Sequence, residues 1–332
     1  MNELRIGVFG CKHTTVFIIN ALRQFANVDA VITISPDTAV KADVADYCDL
    51  SLVCSEFNIP CYSAAQYSLK NPQDQNVIAD MQLDIGFVIG WQRLIPSGVF
   101  KTFSIGVFGM HGSADDLPVG RGRSPMNWAL IERRSHFHTN LFRYNEDIDS
   151  GDILDSIVFS IQPTDNAETM HYKNVLAMKY LIQRNIEDLK NGIVKVHPQK
   201  NIKPTFYPKR NPEDSIIDFR QDIFQIETHI RAVTKPFNGA FTFCNDEKVI
   251  IYRAAIFETD IVDLGHLDKL PGEVVEVFPN GKFLIRCKGG LLFVDDYETK
   301  ADITVSLQLK SPPHLIKQFP KNPRGYHDME KD

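Results

Sequence analysis

The sequence predicts an α/β protein in which a parallel sheet with its helices is followed by a smaller β domain. Three observations support this fold class. Apolar segments of strand and helix length alternate from residue 5 onward, which is the unit of a parallel sheet. The composition becomes proline-rich and basic over residues 196–214. Short strands separated by hairpin-type dipeptides follow, a pattern typical of a small, partly open barrel.

The first domain opens with alternating strands and helices. "RIGVFG" (5–10) reads as a buried strand that ends in a turn at Gly10, and "TTVFIINALRQF" (14–25) has helical apolar spacing after a threonine start. The segments that continue this alternation are a strand, a helix and two strands: "DAVITIS" (29–35), "TAVKADVADYCDL" (38–50), "DIGFVIG" (84–90) and "SIGVFGM" (104–110).

The second half of the first domain changes pattern. "PMNWALIERR" (125–134) predicts a helix with proline in its first turn. Two segments, 136–145 and 152–161, alternate like paired antiparallel strands. A long helix over 166–192 ends at a glycine C-cap.

The smaller β domain begins after the proline-rich segment, which we interpret as a linker or a chain running over the first domain. An amphipathic helix is expected over 221–234, and the tail from Ser311 should lie on the surface. The dipeptides that punctuate the strands are Asn245-Asp246, Asn280-Gly281 and Gly289-Gly290.

Composition excludes several classes of function. The chain has 332 residues, 43% of them hydrophobic and 23% charged, and a formal net charge of −6, which argues against a general nucleic-acid binder. The N-terminus carries no secretory signal and no apolar run could cross a bilayer, so we expect a cytoplasmic protein without a membrane partner. The six cysteines form no CxxC pair, which favours free buried thiols over a metal site. "FGCKH" lacks the GxGxxG fingerprint of a dinucleotide site.

Two segments at strand ends indicate a ligand site. Ligands of open α/β sheets bind beyond the carboxyl ends of the strands. The loops "GWQRLIP" (90–96) and "GMHGS" (109–113) leave two such ends. If these strands are neighbours, the loops form adjacent walls of one crevice, and His111 faces the loop that contains Trp91, Gln92 and Arg93.

An acidic segment supplies candidates to support this histidine. "NEDIDSGDIL" (145–154) is either a solvated turn or the source of a carboxylate that fixes the imidazole tautomer. Spacing does not choose among Asp147, Asp149 and Asp152. The remaining candidate histidines are interpreted as structural residues: His136, His138, His171 and His229.

The ordered motifs "GMHGSADDLPVGRGRSPMNWALI", "DIDSGDIL" and "GWQRLIP" resemble the formyltetrahydrofolate-dependent formyltransferase family. Within that family the chain looks most similar to the nucleotide-sugar N-formyltransferases. The resemblance implies a Rossmann-like catalytic domain over 1–200, then a linker and an OB-like domain over 201–332. It also implies N10-formyltetrahydrofolate as co-substrate, no metal, and an amine of a nucleotide-linked sugar as acceptor.

The family's site residues can be carried over position by position. The resemblance places the catalytic histidine at His111 and the catalytic aspartate at Asp149. The family's catalytic asparagine falls at Gly109, which is a departure. The implied folate contacts are Gly90, Trp91, Gln92, Arg93, Leu94, Ile95 and Asp152. The candidates for sugar-nucleotide contacts are Arg121, Arg123, Trp128, Tyr207, Lys209 and Phe237.

The implied chemistry needs a base for the amine and a hydrogen-bond donor for the oxyanion. For that donor the sequence leaves open a backbone N–H near Gly109, a water in the vacated space, or the side chain of Gln92 or Asn127. Two other functions also stay open, a methionyl-tRNA formyltransferase and a homologue that binds without catalysis. A homodimer, through the small β domain or the long helix, is a further arrangement that the sequence permits.

Overall fold

The protein is described here from a computed structural model that covers residues 4–44, 46–260, 266 and 268–327. The chain forms two compact units. The first unit takes in residues 1–121, 138–159 and 172–204, and the second takes in 122–137, 160–171 and 205–332.

Strands and helices follow the predicted order with a few changes. The strands are β1 (Ile6–Phe9), β2 (Ala30–Ile34), β3 (Cys61–Ala64), β4 (Ile85–Val88), β5 (Gly106–Ser113), β6 (Arg121–Gly122), β7 (His136–Arg143), β8 (Ile153–Ser160), β9 (Phe206–Tyr207), β10 (Ala240–Cys244), β11 (Glu247–Glu258), β12 (Val274–Val277), β13 (Phe283–Cys287) and β14 (Gly290–Glu298). The α-helices are α1 (His13–Leu22), α2 (Pro36–Lys41), α3 (Ser51–Glu56), α4 (Pro72–Asp80), α5 (Ser97–Phe100), α6 (Pro125–Ile131), α7 (Ala167–Lys190) and α8 (Ile223–Val233). Two 3₁₀ turns span Pro212–Ser215 and Pro313–Leu315.

The first unit is built on a seven-stranded sheet in the order β3-β2-β1-β4-β5-β7-β8. The β1, β2, β3, β4 and β5 strands pair in parallel, and β7 pairs antiparallel with β5. Strand order reverses between β1 and β4, so the crevice beyond the carboxyl ends of these strands is the expected ligand position. The predicted parallel-sheet domain is confirmed.

The two faces of this sheet are buried in separate hydrophobic clusters. Along β5, Val107 packs in one cluster and Phe108 packs in the other, as the two-residue period of a strand requires. Strands buried on both faces explain the almost continuous apolar runs that the sequence shows at 84–90 and 104–110.

Two of the expected boundaries are wrong. The helix expected over 38–50 ends at Lys41, because Asp43 adopts a left-handed backbone with φ of 48° that a helix cannot continue. The expected loop 109–113 is a continuation of β5, since β7 supplies backbone partners for residues 108–113 beyond the point where β4 ends.

The second unit contains a five-stranded antiparallel sheet in the order β10-β11-β14-β13-β12. Residues 308–310 bridge to both ends of this order, Gln308 to Glu273 and Lys310 to Phe243, which brings the sheet close to a barrel. The smaller β domain is therefore confirmed. Among the described residues no helix is both long and apolar enough to cross a membrane.

The cysteines are free, as expected, but they are not all buried. Cys61 is exposed at the start of β3, which is the edge strand of the first sheet.

Candidate active site

The predicted crevice depends on β4 and β5 being neighbours, and this is confirmed. They pair in parallel, and Val88 lies opposite Gly109. Since β4 ends at Val88 while β5 continues to Ser113, His111 projects just past the end of β4. The loop that follows β4 starts at the same level of the sheet.

His111 is buried and contacts one oxygen on each side of its ring. Its side chain is 8% exposed, and Nδ1 lies 3.3 Å from Oδ2 of Asp149. Nε2 lies 2.9 Å from the carbonyl oxygen of Gly120. A neutral imidazole has one N–H and one lone pair, so it can donate to only one of these two acceptors at a time.

The turn that supplies the Gly120 carbonyl is fixed to β5 by two side chains. His111 holds Gly120, and the fully buried Oγ of Ser113 donates to the carbonyl oxygen of Val119 at 2.5 Å. Ser113 is two residues after His111, on the same face of the strand. The serine of the "HGS" sequence therefore shapes the wall that faces the imidazole.

Asp149 reaches the histidine because of its backbone conformation. It has a φ of 46°, and a non-glycine residue in the left-handed region costs about 1–3 kcal/mol that the surroundings must offset. Asp147 and Asp152 are exposed. Of the three acids that the spacing leaves open, the structure thus brings Asp149 to His111. The carboxylate of Asp152, the implied folate contact, is exposed and has no hydrogen bond or ion pair among the described residues.

Gln199, which the sequence analysis did not single out, holds the loop of Asp149. Its Nε2 donates to the carbonyl oxygens of Asp149 and Gly151 at 2.7 and 2.9 Å. Its Oε1 accepts from Nε and Nη2 of Arg121 at 3.2 and 2.6 Å. Burial lowers the pKa of the Arg121 guanidinium, while the Asp149 and Asp147 carboxylates raise it. In the sequence, the only signal for Gln199 is that the glutamine of "HPQKN" can both donate and accept hydrogen bonds.

At Gly109, the position that departs from the family pattern, the ring of Tyr144 occupies the space of a side chain. A Cβ placed on Gly109 would overlap Cε2 of Tyr144 and lie 3.1 Å from its Cζ. Of the replacements that the sequence left open, a water in a vacated space is not supported, since an aromatic ring occupies the position. Asn127, another of the replacements left open, donates from Nδ2 to the carbonyl oxygen of Ala232 at 2.7 Å within the second unit.

The loop after β4 combines an apolar wall with an unused donor. Trp91 packs edge-on against Phe9 and Tyr67, with ring centroids 6.3 and 4.8 Å apart. It is 8% exposed, and its Nε1 has no hydrogen-bond partner among the described residues. The backbone N–H of Gln92 donates to the Tyr67 hydroxyl at 3.0 Å.

The rest of this loop differs in exposure. Ile95 is buried, Gly90 is partly buried with a φ of 76°, and Leu94 is 54% exposed. Arg93 is exposed and lies over the Tyr67 ring, 5.0 Å from its centroid. An apolar wall with one buried indole N–H and exposed polar groups at its rim fits a flat, polar-edged ligand.

Two of the expected sugar-nucleotide contacts are packed inside the second unit. Trp128 and Tyr207 are both buried, and their rings stack at 6.1 Å. The indole Nε1 of Trp128 donates to the Pro208 carbonyl oxygen at 2.8 Å, and the Tyr207 hydroxyl donates to Glu132 at 2.9 Å. Both polar groups already have partners inside the protein, and this packing supports a structural role for both residues.

The other expected sugar-nucleotide contacts of the second unit are on its surface. Arg123, Lys209 and Phe237 are exposed. Arginine and lysine there could pair with phosphates, and an exposed phenyl ring could stack on a base. Within the described ranges no group of His, Cys, Asp or Glu is arranged to hold a metal ion.

Two family models match the chain. The model described as "Formyl transferase" covers residues 4–186, and the model described as "Formyl transferase, C-terminal domain" covers residues 209–311. The predicted enzyme class and the predicted order of the two domains are those of the matched family.

Solved structures with the same fold differ in their functions. HypX from Aquifex aeolicus matches with a TM-score of 0.65 and 16% identity over 89% of this chain, which spans 46% of HypX. An N-formyltransferase from Helicobacter canadensis, in complex with folinic acid and dTDP-3-aminofucose, matches with a TM-score of 0.61 and 17% identity over 89% of this chain and 100% of its own. Methionyl-tRNA formyltransferase from Clostridium thermocellum matches with a TM-score of 0.53 and 18% identity over 76% and 94%.

These identities show a shared fold, and this chain is about half as long as the HypX chains it matches. The family models give the stronger result, because the N-terminal model alone spans more than half of the chain. This protein belongs to the formyl transferase family.

Proposed function

We propose that this protein transfers the formyl group of N10-formyltetrahydrofolate to the amine of a nucleotide-linked amino sugar. A dTDP-linked 4-amino-4,6-dideoxyhexose, or its 3-amino isomer, is the proposed acceptor. The observation that carries the proposal is the buried His111–Asp149 pair, 3.3 Å apart, next to the loop that follows β4. Family membership supports the formyl donor, and the folinic acid bound to the Helicobacter canadensis protein agrees with it.

The choice of acceptor has weaker but separate support. The Helicobacter canadensis structure holds dTDP-3-aminofucose, and this chain covers the whole of that protein. The net charge of −6 disfavours a large RNA acceptor, because RNA binding requires neutralisation of many phosphates. Exposed Arg123 and Lys209 are available to the few charges of a diphosphate.

In this proposal His111 accepts the proton that the amine loses on attack. An Nδ1–H that faces the Asp149 carboxylate leaves the lone pair on Nε2, and Nε2 becomes available when it separates from the Gly120 carbonyl. General base catalysis of this kind is worth about 10²–10⁴ in rate. The apolar wall of Trp91 and Ile95 would hold the folate ring, and fixing both substrates beside the imidazole can supply about 7–11 kcal/mol of the barrier.

The test is turnover of N10-formyltetrahydrofolate with dTDP-, UDP- and GDP-linked amino sugars, and with methionyl-tRNA in parallel. We expect a formylated sugar, and a His111→Asn variant that is slower by about 10²–10⁴ with an unchanged circular dichroism spectrum. His136→Asn, at an exposed position on β7, is the matched control and should keep normal activity. Formylation of the tRNA alone would contradict the proposed acceptor. Near-normal activity of His111→Asn would contradict the proposed base.

A further inference from the structure

The strand that carries His111 has a gap in its row of side chains. Val107, Gly109 and His111 alternate onto one face of β5, and the middle residue has no side chain. The ring of Tyr144 lies over that position, with Cδ2 and Cζ at 2.9 and 3.1 Å from where a Gly109 Cβ would be. Because Cζ bears the hydroxyl, the phenol oxygen lies one bond beyond this point.

Strand register holds Tyr144 in this place. Asn140, opposite His111, and Phe142, opposite Gly109, lie on the same face of β7. The chain continues in this pattern, and the backbone N–H of Tyr144 donates to the Val107 carbonyl oxygen at 2.8 Å. The rings of Phe142 and Tyr144 stack with centroids 5.5 Å apart and planes 16° apart. The ring is thus fixed by packing that does not use its hydroxyl.

The hydroxyl of Tyr144 is an unpaired hydrogen-bond donor. It has no hydrogen-bond partner in the described part of the chain, although Tyr144 itself is only partly exposed. Burial raises the pKa of the Tyr144 phenol, and the nearby Asp149 carboxylate raises it further. The group therefore keeps its proton at neutral pH, so it can donate to an oxygen that gains negative charge.

The neighbouring amide on this face is fixed by two hydrogen bonds. Nδ2 of Asn140 donates to the His111 carbonyl oxygen at 3.2 Å, and its Oδ1 accepts from Ser156 at 2.7 Å. These two bonds fix the orientation of the Asn140 amide, and with it the direction of its second N–H. The Tyr144 hydroxyl can rotate toward an acceptor without breaking an existing bond.

We propose that Tyr144 is a catalytic residue whose hydroxyl donates a hydrogen bond to the formyl oxygen during formyl transfer. This inference rests on the proposed function. As the amine nitrogen bonds to the formyl carbon, the carbonyl π electrons move to oxygen, and His111 accepts the amine proton. Tyr144 keeps its own proton and stabilises the oxygen charge. The C=O bond then re-forms as the bond to N10 of the folate breaks, and N10 receives the proton from His111.

The decisive variant is Tyr144→Phe, which keeps the ring that packs on Gly109 and removes only the hydroxyl. Loss of one oxyanion donor lowers kcat by about 10²–10³. We expect that fall in kcat with N10-formyltetrahydrofolate and the best acceptor, little change in KM for the acceptor, and an unchanged melting temperature. Tyr180→Phe, at an exposed tyrosine of α7, is the control and should behave as wild type. A kcat of Tyr144→Phe within about twofold of wild type would overturn the inference while wild-type turnover upholds the proposed function.

A second measurement requires no acceptor. Calorimetric affinities of 5-formyltetrahydrofolate and tetrahydrofolate give the contribution of the formyl group in wild type and in Tyr144→Phe. A hydrogen bond to the formyl oxygen predicts a contribution that falls about tenfold in the variant, which corresponds to roughly 1.4 kcal/mol. An equal contribution in both proteins would overturn the role of Tyr144. Failure of wild type to bind either folate would overturn the proposed function and this inference together.

Discussion

The carboxylate of Asp149 is the residue-level feature on which the proposed chemistry most directly depends. It lies 3.3 Å from Nδ1 of His111 and is only 21% exposed. We expect Asp149→Asn to lower kcat by about 10²–10⁴, because the amide can no longer fix the imidazole with its lone pair on Nε2. Steady-state kinetics would measure the change. Asp147→Asn, two residues away at an exposed position, is the control, and an equal loss in both variants would show that the charge of the loop matters and not the pairing with His111.

At the same scale, the spacing of the acids could not indicate which one lies beside His111, and only the family resemblance placed it at Asp149. Three acids in one short loop are equivalent in sequence spacing, and the left-handed backbone at Asp149 selects one of them. Tyr144 could not have been predicted for a similar reason. Its place over Gly109 follows from the register of β7 against β5, and no pattern within either strand reveals that register.

The loop between β7 and β8 is the element that carries Asp149, and Gly151 allows it to close. A Cβ at Gly151 would overlap the carbonyl oxygen of Arg143 at the end of β7. The contacted oxygen belongs to the backbone and cannot rotate aside as a side chain can. Gly151→Ala should therefore displace the loop and lower kcat/KM by at least tenfold. Kinetics combined with the melting temperature would measure both effects.

The control for Gly151→Ala is Gly98→Ala in α5. There an added Cβ meets the flexible amide of Gln75, which can move, so activity and stability should stay close to those of wild type. A Gly151→Ala variant with normal kcat/KM would mean that the loop adapts and still delivers Asp149 to His111.

Elements were predicted well where the local pattern and the packing agree. The buried strands β4 and β5 and the long helix α7 were recognised because apolar runs and a glycine C-cap report burial and helix ends directly. The aromatic residues of α6 and β9 were harder to interpret. Trp128 and Tyr207 stack on each other, and a buried aromatic pair has the same sequence signature as a ring that stacks on a ligand.

At the scale of the whole molecule, the order of the two sheets along the chain could be predicted from the sequence. The second compact unit takes in residues 122–137 and 160–171 besides the C-terminal part of the chain. Composition changes only near 196–214, so the expected boundary at residue 200 follows the linker. The composition gives no signal at residues 122–137 and 160–171, which lie earlier in the chain. That boundary, and a homodimer, stay predictions.

Two histidines of the second unit, His229 and His327, lead to a prediction about stability in acid. Burial, with a smaller effect of Arg210, lowers the pKa of His229 to about 4, and burial also lowers the pKa of His327. A histidine with a depressed pKa in the folded state takes up protons more readily when unfolded. Its contribution to stability is therefore present above the unfolded pKa of about 6.5 and is lost as the pH falls toward the folded value.

We expect the wild-type protein to lose about 2 kcal/mol of unfolding free energy through His229 between pH 7 and pH 5, measured by urea denaturation. His229→Asn should be less stable at pH 7, because a buried ring is lost, but its stability should depend less on pH over this interval. The amide can still reach the backbone of Ser215, which interacts with the histidine. His314→Asn, at an exposed histidine of the same unit, should keep the full wild-type pH dependence. A His229→Asn variant that loses stability with acid as steeply as wild type would place the acid sensitivity elsewhere, with His327 the next candidate to substitute, since its depressed pKa acts in the same direction.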